Sequence, residues 1–437
     1  MKKKIIIGIC VCTSWLFLTA CTKKMASQPV TPPVDTALVN THHLGDLYAP
    51  VVFPDGVHAA GVYIYSEYPD YRLVDANGEG FACVDDVARA ALVYLRNNKF
   101  SSDTAIQSRL YNLIEFILEM QSPNGYFYNF LFANGIINKA GVTSINNPNW
   151  WSWRALQTLT EAAPILQNKN PQLYNKILPA INKLVQQIKT DLVNLPQTTT
   201  IVNGITIPQW LPLGSGTDQA ATLIVGLINY CAATNDAVIS TYIQKLADGI
   251  VLMQQGDATH FPYAAFLSWE NTWHAYGNMQ AYALMQAADF LNNPQYMTDA
   301  MAEIDNFYPW LLQNGLKASF TISNSAGVYQ KLTENSYDQI AYGISPMVCA
   351  AAEAYKKTGQ DKYADMAGHL AAWLLGANEA SVNMYSVSTG ICYDGISSAS
   401  NVNLNSGAES TIEALLVLEI VENYPAIKTA LNKYKKK

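Results

Sequence analysis

The sequence is poor in charged residues and in arginine, and both shortages narrow what the chain can be. Only 14% of the 437 residues are charged, whereas 50% are hydrophobic. This balance excludes an intrinsically disordered chain and allows a large buried core. The five arginines and the net charge of −7 argue against binding to nucleic acid, which needs clustered basic side chains. Removing residues 1–20 would delete three lysines and no acidic residue, so the remaining chain would be more acidic still.

Cysteine is scarce as well, and the spacing of the seven cysteines matches no zinc site. The sequence therefore predicts neither a metal ion nor another cofactor. Cys83 and Cys392 each lie beside an acidic loop motif, where they could form a disulfide or remain free thiols. Four cysteines lie beyond the amino-terminal segment, and four allow three pairings that the sequence does not rank.

The one long apolar run lies at the amino terminus. Lys2, Lys3 and Lys4 precede the run from Ile5 to Phe17, and Leu18-Thr19-Ala20-Cys21 follows it. No later segment is long and apolar enough to span a bilayer. The pattern resembles the lipoprotein signal of bacteria, which implies cleavage after residue 20 and a lipid on Cys21.

This resemblance divides the chain into three parts. They are a signal peptide at residues 1–20, a lipidated cysteine with a flexible tether at 21–44, and a single domain at 45–437. Pro29, Pro32 and Pro33 are typical of a tether. The resemblance implies a protein held at the cell envelope by acyl chains. Because Thr22-Lys23-Lys24 contains no acidic export signal, we expect the periplasmic face rather than the cell surface.

A unit of about 60 residues recurs about five and a half times between Val84 and the carboxyl terminus. In each unit an apolar helix turns quickly into a more polar helix, and a long loop leads to the next unit. A helix that is apolar on all sides is buried, so the first helices should form an inner ring. The pattern predicts an all-α fold, an (α/α)6 toroid of six helical hairpins. The predicted inner helices are Asp85–Asn97, Trp150–Gln167, Thr217–Thr234, Thr272–Leu291, Tyr337–Thr358 and Gly407–Asn423. The predicted outer helices are Thr104–Gln121, Pro171–Asn194, Ser240–Gln255, Pro294–Asn314, Asp361–Gly376 and Ala426–Lys436.

The connections between these helices are unequal in length. Turns from inner to outer helices contain a few residues, whereas the loops from outer to inner helices are long. Two of the long loops contain Asn134-Gly135 and Asn203-Gly204, which predict short β-hairpins. All long loops therefore lie on one face of the toroid, and a cleft on that face is the expected site.

Three carboxylates at helix starts are candidate catalytic residues. One of Asp85 and Asp86 is enough to cap the first inner helix, so the other should face the cleft. Glu409 enters the last inner helix after Gly407 and Ala408, which leave room for a ligand. In a closed ring the first and sixth inner helices are neighbours. Mutual repulsion and partial burial would then raise one pKa toward that of a general acid.

Further residues on the same face are candidate substrate contacts, each with a structural alternative. Aromatic rings can stack on sugar faces or fill the core, and we expect stacking above all from the tryptophans at 210, 269 and 273. The acidic residues could instead be helix caps or turn formers, and the histidine a buried, hydrogen-bonded residue. The candidates are Trp150, Trp151, Trp210, Asp218, Trp269, Trp273, His274, Tyr337, Asp338 and Asp394.

These features together resemble the six-hairpin glycosidase superfamily, over most of the chain from about Gly45. Locally, Trp373-Leu374-Leu375-Gly376-Ala377-Asn378, followed by a loop and Glu409, is similar to the carboxyl-terminal part of family 9 glycoside hydrolases. That resemblance implies that Glu409 is the general acid. The Asp-Ala-Gly-Asp motif of that family is absent, and Asp85-Asp86 occupies the corresponding region. The resemblance therefore assigns no base.

The leading hypothesis is a lipid-anchored carbohydrate-active enzyme, a glycoside hydrolase acting on an oligosaccharide or polysaccharide. Glu409 would be its acid, and Asp86 or Asp85 its base. One alternative is a polysaccharide lyase or sugar epimerase on the same scaffold. Another is a non-catalytic glycan-binding lipoprotein, since a fold does not fix a function. We expect a monomer whose partners are the saccharide and the membrane, and not nucleic acid.

Overall fold

Two concentric rings of helices build the fold in the computed structural model, which describes residues 37–436. The inner helices are α2 (Val84–Arg96), α4 (Trp150–Lys169), α6 (Thr217–Thr234), α8 (Gln280–Leu291), α11 (Ala341–Thr358) and α13 (Ala408–Asn423). The outer helices are α3 (Thr104–Glu119), α5 (Pro171–Leu192), α7 (Ala237–Leu252), α9 (Pro294–Ala302), α10 (Tyr308–Asn314), α12 (Asp361–Ala371) and α14 (Pro425–Tyr434). Each inner helix packs against the next, and α13 returns to α2 and closes the ring. The predicted (α/α)6 toroid is confirmed.

The two rings differ in how their helices bury side chains. In the inner helix α6 nearly every residue from Thr217 to Leu227 is buried. There a Cβ on Gly226 would lie 2.9 Å from Leu156, so the close approach of α6 to α4 requires a residue without a side chain. The outer helix α5 instead buries one stripe that includes Leu173, Ile177 and Leu184, and its other face is polar. Packing of these stripes onto the inner ring forms the core.

The long connections carry short antiparallel strands. They are β1 (Tyr48–Val52), β2 (His58–Val62), β3 (Tyr65–Glu67), β4 (Arg72–Val74), β5 (Ala82–Cys83), β6 (Phe130–Leu131), β7 (Thr199–Val202), β8 (Ile205–Pro208), β9 (Gln254–Gln255), β10 (Ala265–Phe266), β11 (Thr272–His274), β12 (Ser319–Ser325), β13 (Val328–Asn335), β14 (Gly395–Ser398) and β15 (Asn401–Asn403). Strands β7 and β8 form the hairpin predicted from Asn203-Gly204, with Val202 opposite Ile205. Both turn residues have the positive φ that a two-residue hairpin needs.

Two inner helices begin later than the sequence predicts. Residues 272–274, predicted as a helix start, form β11 and pair with β12, with Trp273 opposite Phe320. Helix α8 begins only at Gln280, after Gly277 at φ +66°. The next predicted start at Tyr337 is also too early, because α11 begins at Ala341. In both places long-range strand or loop contacts override a locally helical composition.

The folded unit also begins earlier than predicted. It starts at Ala37 rather than Gly45, and α1 (His42–Leu47) follows. Leu44 is fully buried, and the side-chain amide of Asn40 donates to the carbonyl of Val387 at 3.0 Å. The last residues of the predicted tether therefore belong to the toroid.

The predicted signal peptide at 1–20, the predicted lipidation site Cys21 and the first part of the tether, residues 22–36, lie outside the described residues. Within the range 37–436, no helix combines the length and hydropathy needed to cross a membrane.

Candidate active site

A cavity of about 760 Å³ lies at the end of the toroid where the inner helices begin. Its size falls within the range of small-molecule sites. The first turns of α2, α4, α6, α11 and α13 all contribute to its lining. The cleft therefore lies on the face that carries the long loops, as the sequence predicts.

The floor of the cavity is built around the guanidinium of Arg89. Its Nη2 atom lies 2.8 Å from Asp85 Oδ2, 2.7 Å from Asp86 Oδ1 and 3.2 Å from Glu409 Oε2. Its Nη1 atom lies 2.6 Å from Glu413 Oε1. The three predicted catalytic carboxylates therefore meet on a single arginine nitrogen.

Helical spacing and ring closure explain this convergence. Asp85 and Asp86 precede Arg89 by four and three residues, so all three share one face of α2. Glu409 and Glu413 are likewise one turn apart on α13, which packs against α2. The Cys83 thiol accepts the backbone N–H of Asp86 at 3.5 Å and donates to its Oδ2 at 3.3 Å. This thiol therefore caps α2 and orients Asp86.

Further polar side chains contact Arg89 and its carboxylate partners. Arg89 Cζ lies 4.8 Å from the ring centroid of Tyr342, whose hydroxyl accepts from Arg154 Nη2. Arg154 Nε lies 3.6 Å from Asp85 Oδ1. The hydroxyl of Ser345 donates to Glu413 Oε2. These contacts fix the floor before any ligand arrives.

The carboxylates of the floor differ in exposure and in pKa. Asp86 is 4% exposed, and burial raises its pKa although the charge of Arg89 opposes the shift. Burial also raises the pKa of Glu409 to about 7, with Arg89 opposing and the neighbouring carboxylates adding to the rise. The Glu409 side chain is 42% exposed toward the cavity, so water there moderates the shift and a bound ligand would restore it. In exposure Asp85 lies between Asp86 and Glu409, with 22% of its side chain accessible to solvent.

The same three carboxylates form the kind of group that can hold a metal ion. One oxygen each from Asp85, Asp86 and Glu409 lies within 4.8 Å of the others. Nη2 of Arg89 already contacts all three at 2.7–3.2 Å. A cation is therefore supplied by the chain itself at the point where a metal would bind.

Aromatic side chains form part of the cavity wall. Trp150, Trp269, His274 and Tyr276 line it together. The His274 ring lies 5.3 Å from Trp269 and 4.2 Å from Tyr276, measured between ring centroids. His274 Nδ1 accepts the backbone N–H of Tyr276 at 3.3 Å, and burial lowers the pKa of His274. The neutral ring therefore carries its proton on Nε2.

Three further predicted contacts line the cavity with different roles. Asp218 is buried, and burial raises its pKa to about 7 although the backbone N–H of Gln219 donates to it. Asp338 is exposed. Asp394 Oδ1 accepts the Gly407 N–H at 2.8 Å and the Ser410 hydroxyl at 2.7 Å. Asp394 therefore holds the start of the helix that carries Glu409.

Other predicted contacts are part of the scaffold. Trp151 lines the cavity but is 6% exposed, and its indole N–H donates to Phe127. Trp273, expected to stack on sugar, is fully buried and stacks on Phe320 with 5.1 Å between ring centroids. Its place in β11 turns it into the core. Neither Trp210 nor Tyr337 is among the lining residues.

Trp210 packs against α7, donates to the carbonyl of Lys245 and lies beneath the ammonium group of that residue. Cys83 and Cys392, which could have paired, are both free thiols.

Three residues of the site, Arg89, Glu413 and Tyr342, were not predicted from the sequence. The spacing of Asp85 and Arg89 by four residues, and of Glu409 and Glu413 by four, was a signal that their side chains share a helix face. Nothing local indicates that the Tyr342 ring contacts Arg89, because α11 and α2 are distant in sequence.

Comparison of structures finds proteins with the same fold, whereas comparison of sequences finds no related protein. No protein-family model matches the chain, and no curated protein is similar to it in sequence. Cellobiose 2-epimerase from Spirochaeta thermophila superposes with a TM-score of 0.59 at 10% identity, covering 90% of this chain and 96% of the other. Cellobiose 2-epimerase from Bacillus thermoamylovorans gives 0.58 at 13% identity, covering 83% and 92%. A family 76 glycoside hydrolase from a bovine Bacteroides thetaiotaomicron strain gives 0.54 at 12% identity, covering 92% and 79%. At these identities the likeness shows the fold alone, an (α/α)6 toroid.

Proposed function

We propose that this protein is a carbohydrate-active enzyme that hydrolyses a glycosidic bond in an oligosaccharide or polysaccharide. The observation that carries the proposal is the meeting of Asp85 and Glu409 in a cavity with aromatic walls. Hydrolysis of a glycoside needs one carboxyl group that is protonated and one that is ionised. The similar structures, named for enzymes that act on saccharides, support the same class of substrate.

Glu409 is the general acid and Asp85 its partner in this proposal. The raised pKa of Glu409, about 7, keeps a useful fraction of the side chain protonated near neutral pH. Arg89 Nη2 lies 2.8 Å from Asp85 Oδ2, and this ion pair holds Asp85 in place. Asp86 is more deeply buried and is held by Cys83 and Arg89, so it acts as a positioning residue.

The short distance between the two carboxylates favours hydrolysis with retention of configuration. Their nearest oxygens lie within 4.8 Å, closer to the ~5–5.5 Å typical of retaining enzymes than to ~6.5–9.5 Å. Asp85 would attack the anomeric carbon while Glu409 protonates the leaving oxygen. Water would then displace Asp85 and give its proton to Glu409, which restores both groups.

The walls of the cavity provide the means to hold a sugar. Trp150, Trp269 and Tyr276 present flat apolar rings for stacking on a sugar face. His274 Nε2–H is a hydrogen-bond donor for a sugar hydroxyl.

We further propose that the protein is a monomer. From the amino-terminal pattern alone, we propose that a lipid on Cys21 anchors it at the periplasmic face of the envelope.

A second candidate function is epimerisation of a sugar. Epimerisation requires groups that remove and return a proton near neutral pH. Asp218, with a pKa of about 7, and the neutral His274 line the same cavity. Two of the similar structures are cellobiose 2-epimerases.

Mass analysis of products tests these functions together. The chain without its first 21 residues is incubated with plant, microbial and host polysaccharides, beside a Glu409→Gln variant. Glu161→Gln, the same change on α4 outside the cavity, is the matched control. Hydrolysis is supported if wild type and Glu161→Gln give products that have gained one water and Glu409→Gln does not. Products of unchanged mass indicate an epimerase, unsaturated products a lyase, and binding without products a glycan-binding protein.

A further inference from the structure

The cavity is lined by more acidic side chains than basic ones. Besides the three carboxylates that meet on Arg89, four others line it, namely Glu79, Asp218, Asp338 and Asp394. Asp338 is exposed and Glu79 is half-buried. Although burial raises the pKa of Asp218 and of Glu409 to about 7, the acidic side chains outnumber the single lining guanidinium.

Positive charge in the cavity is already engaged. Among the lining residues of the described chain, Arg89 is the one arginine or lysine. It is 1% exposed, and Nη1, Nη2 and Nε contact Glu413, three carboxylates and the Asp85 carbonyl respectively. Arg154 lies behind the floor against the rings of Trp150 and Tyr342. Neither guanidinium is available to an anionic ligand.

We propose that the sugar units bound in this cavity carry no carboxylate, sulfate or phosphate. This inference rests on the proposed function and narrows its substrate to uncharged or positively charged glycans. A like charge placed about 6 Å from one unpaired carboxylate weakens binding by about 10- to 100-fold at the effective dielectric of a protein site. Among the described lining residues, Arg89 is the one lysine or arginine, and its charge is already paired with four carboxylates.

Matched oligosaccharides test the inference once a substrate is found. A neutral oligosaccharide is compared with the same molecule oxidised to a carboxylate at C6, and binding to the Glu409→Gln variant is measured by calorimetry. We expect the oxidised form to bind at least about tenfold more weakly. The difference should shrink at high salt, because screening weakens repulsion but leaves steric exclusion unchanged. Equal or tighter binding of the oxidised form would overturn the inference.

Substitution of one exposed acid separates charge from shape. Asp338→Lys should reduce the discrimination against the oxidised sugar more than Asp338→Asn does, since both change the side chain but only lysine adds a positive charge. Equal discrimination in wild type and both variants would count against an electrostatic cause.

Collisional quenching tests the cavity charge without any substrate. Trp269 lines the cavity and is 37% exposed, so the emission lost in Trp269→Phe reports on the cavity. Trp210, outside the cavity and 5.5 Å from Lys245 Nζ, is the control. We expect the ratio of caesium quenching to iodide quenching to be higher for Trp269 than for Trp210.

A ratio at Trp269 that is equal to or lower than the ratio at Trp210 would refute the inference even if the protein hydrolyses glycans. A higher ratio at Trp269 would support it even if no product is found. The failure of the proposed function and the failure of this inference are therefore distinguishable.

Discussion

Replacing Arg89 by methionine removes the positive charge that four carboxylates share, and it should strongly destabilise the fold. Asp86 and Glu413 carry most of this effect, because 6% and 3% of their side chains are exposed. Breaking a buried charge pair by removing one partner costs about 3–5 kcal/mol. The contacts with Asp85 and Glu409 add less, since water reaches both side chains.

The cost of Arg89→Met should depend on pH. Arg89 opposes the upward pKa shifts of Asp86 and Glu409, so in the variant both pKa values rise further. At pH 5 these groups take up protons and the repulsion is relieved. At pH 8 Asp86 and Glu409 lose these protons in spite of their raised pKa values, and no cation balances the resulting charges. The loss of stability caused by Arg89→Met is therefore larger at pH 8 than at pH 5.

Urea unfolding at pH 5 and pH 8, followed by circular dichroism, measures this prediction. The matched control is Arg96→Met, which breaks a bidentate pair with Glu161 at 2.7 and 2.8 Å. Both partners there are partly exposed, and we expect a cost of about 1 kcal/mol or less. A cost for Arg89→Met no greater than for Arg96→Met, or one that is larger at pH 5, would refute the reasoning.

Three further predictions concern acid–base chemistry and packing. Turnover should fall as pH rises through about 7, because Glu409 must be protonated to act as the acid; kcat/KM that does not change between pH 5 and 9 would exclude this role. Burial raises the folded-state pKa of Asp218 to about 7, so wild type loses stability as pH rises from about 4 to 7. The stability of Asp218→Asn relative to wild type should therefore be greater at pH 8 than at pH 5. A difference in urea midpoint between variant and wild type that is the same at both pH values would contradict this. Trp273→Ala should cost about 3–5 kcal/mol because it empties a core position. Trp269→Ala should cost less than about 1 kcal/mol and should instead weaken saccharide binding. Urea unfolding measures the first effect and calorimetry the second. A larger loss of stability in Trp269→Ala than in Trp273→Ala would contradict these assignments.

Local patterns in the sequence were enough to predict the ring architecture. Helices such as α6 are apolar on all sides, and helices such as α5 have one polar face, so burial in two rings follows from composition and period alone. The Asn203-Gly204 pair likewise determines its hairpin, since the turn depends only on the φ values that those two residues adopt.

The candidate catalytic residues were predictable for a similar reason. Asp85, Asp86 and Glu409 lie at helix starts, and ring closure makes those helices neighbours. The order of the elements therefore brings the carboxylates to one face. The difference in exposure between Asp85 and Asp86 was not predictable, because it depends on what packs around each side chain.

Tertiary structure alone decided which aromatic residues face the cavity. Trp269 and Trp273 are four residues apart in one loop, yet the first lines the cavity and the second lies in the core. The difference arises because β11 pairs with β12, which places Trp273 opposite Phe320. Tertiary packing likewise places Arg89 against Glu413, 324 residues away. Sequence determines the properties of a segment from its near neighbours, whereas burial and charge pairing depend on partners that only the closed ring brings into contact.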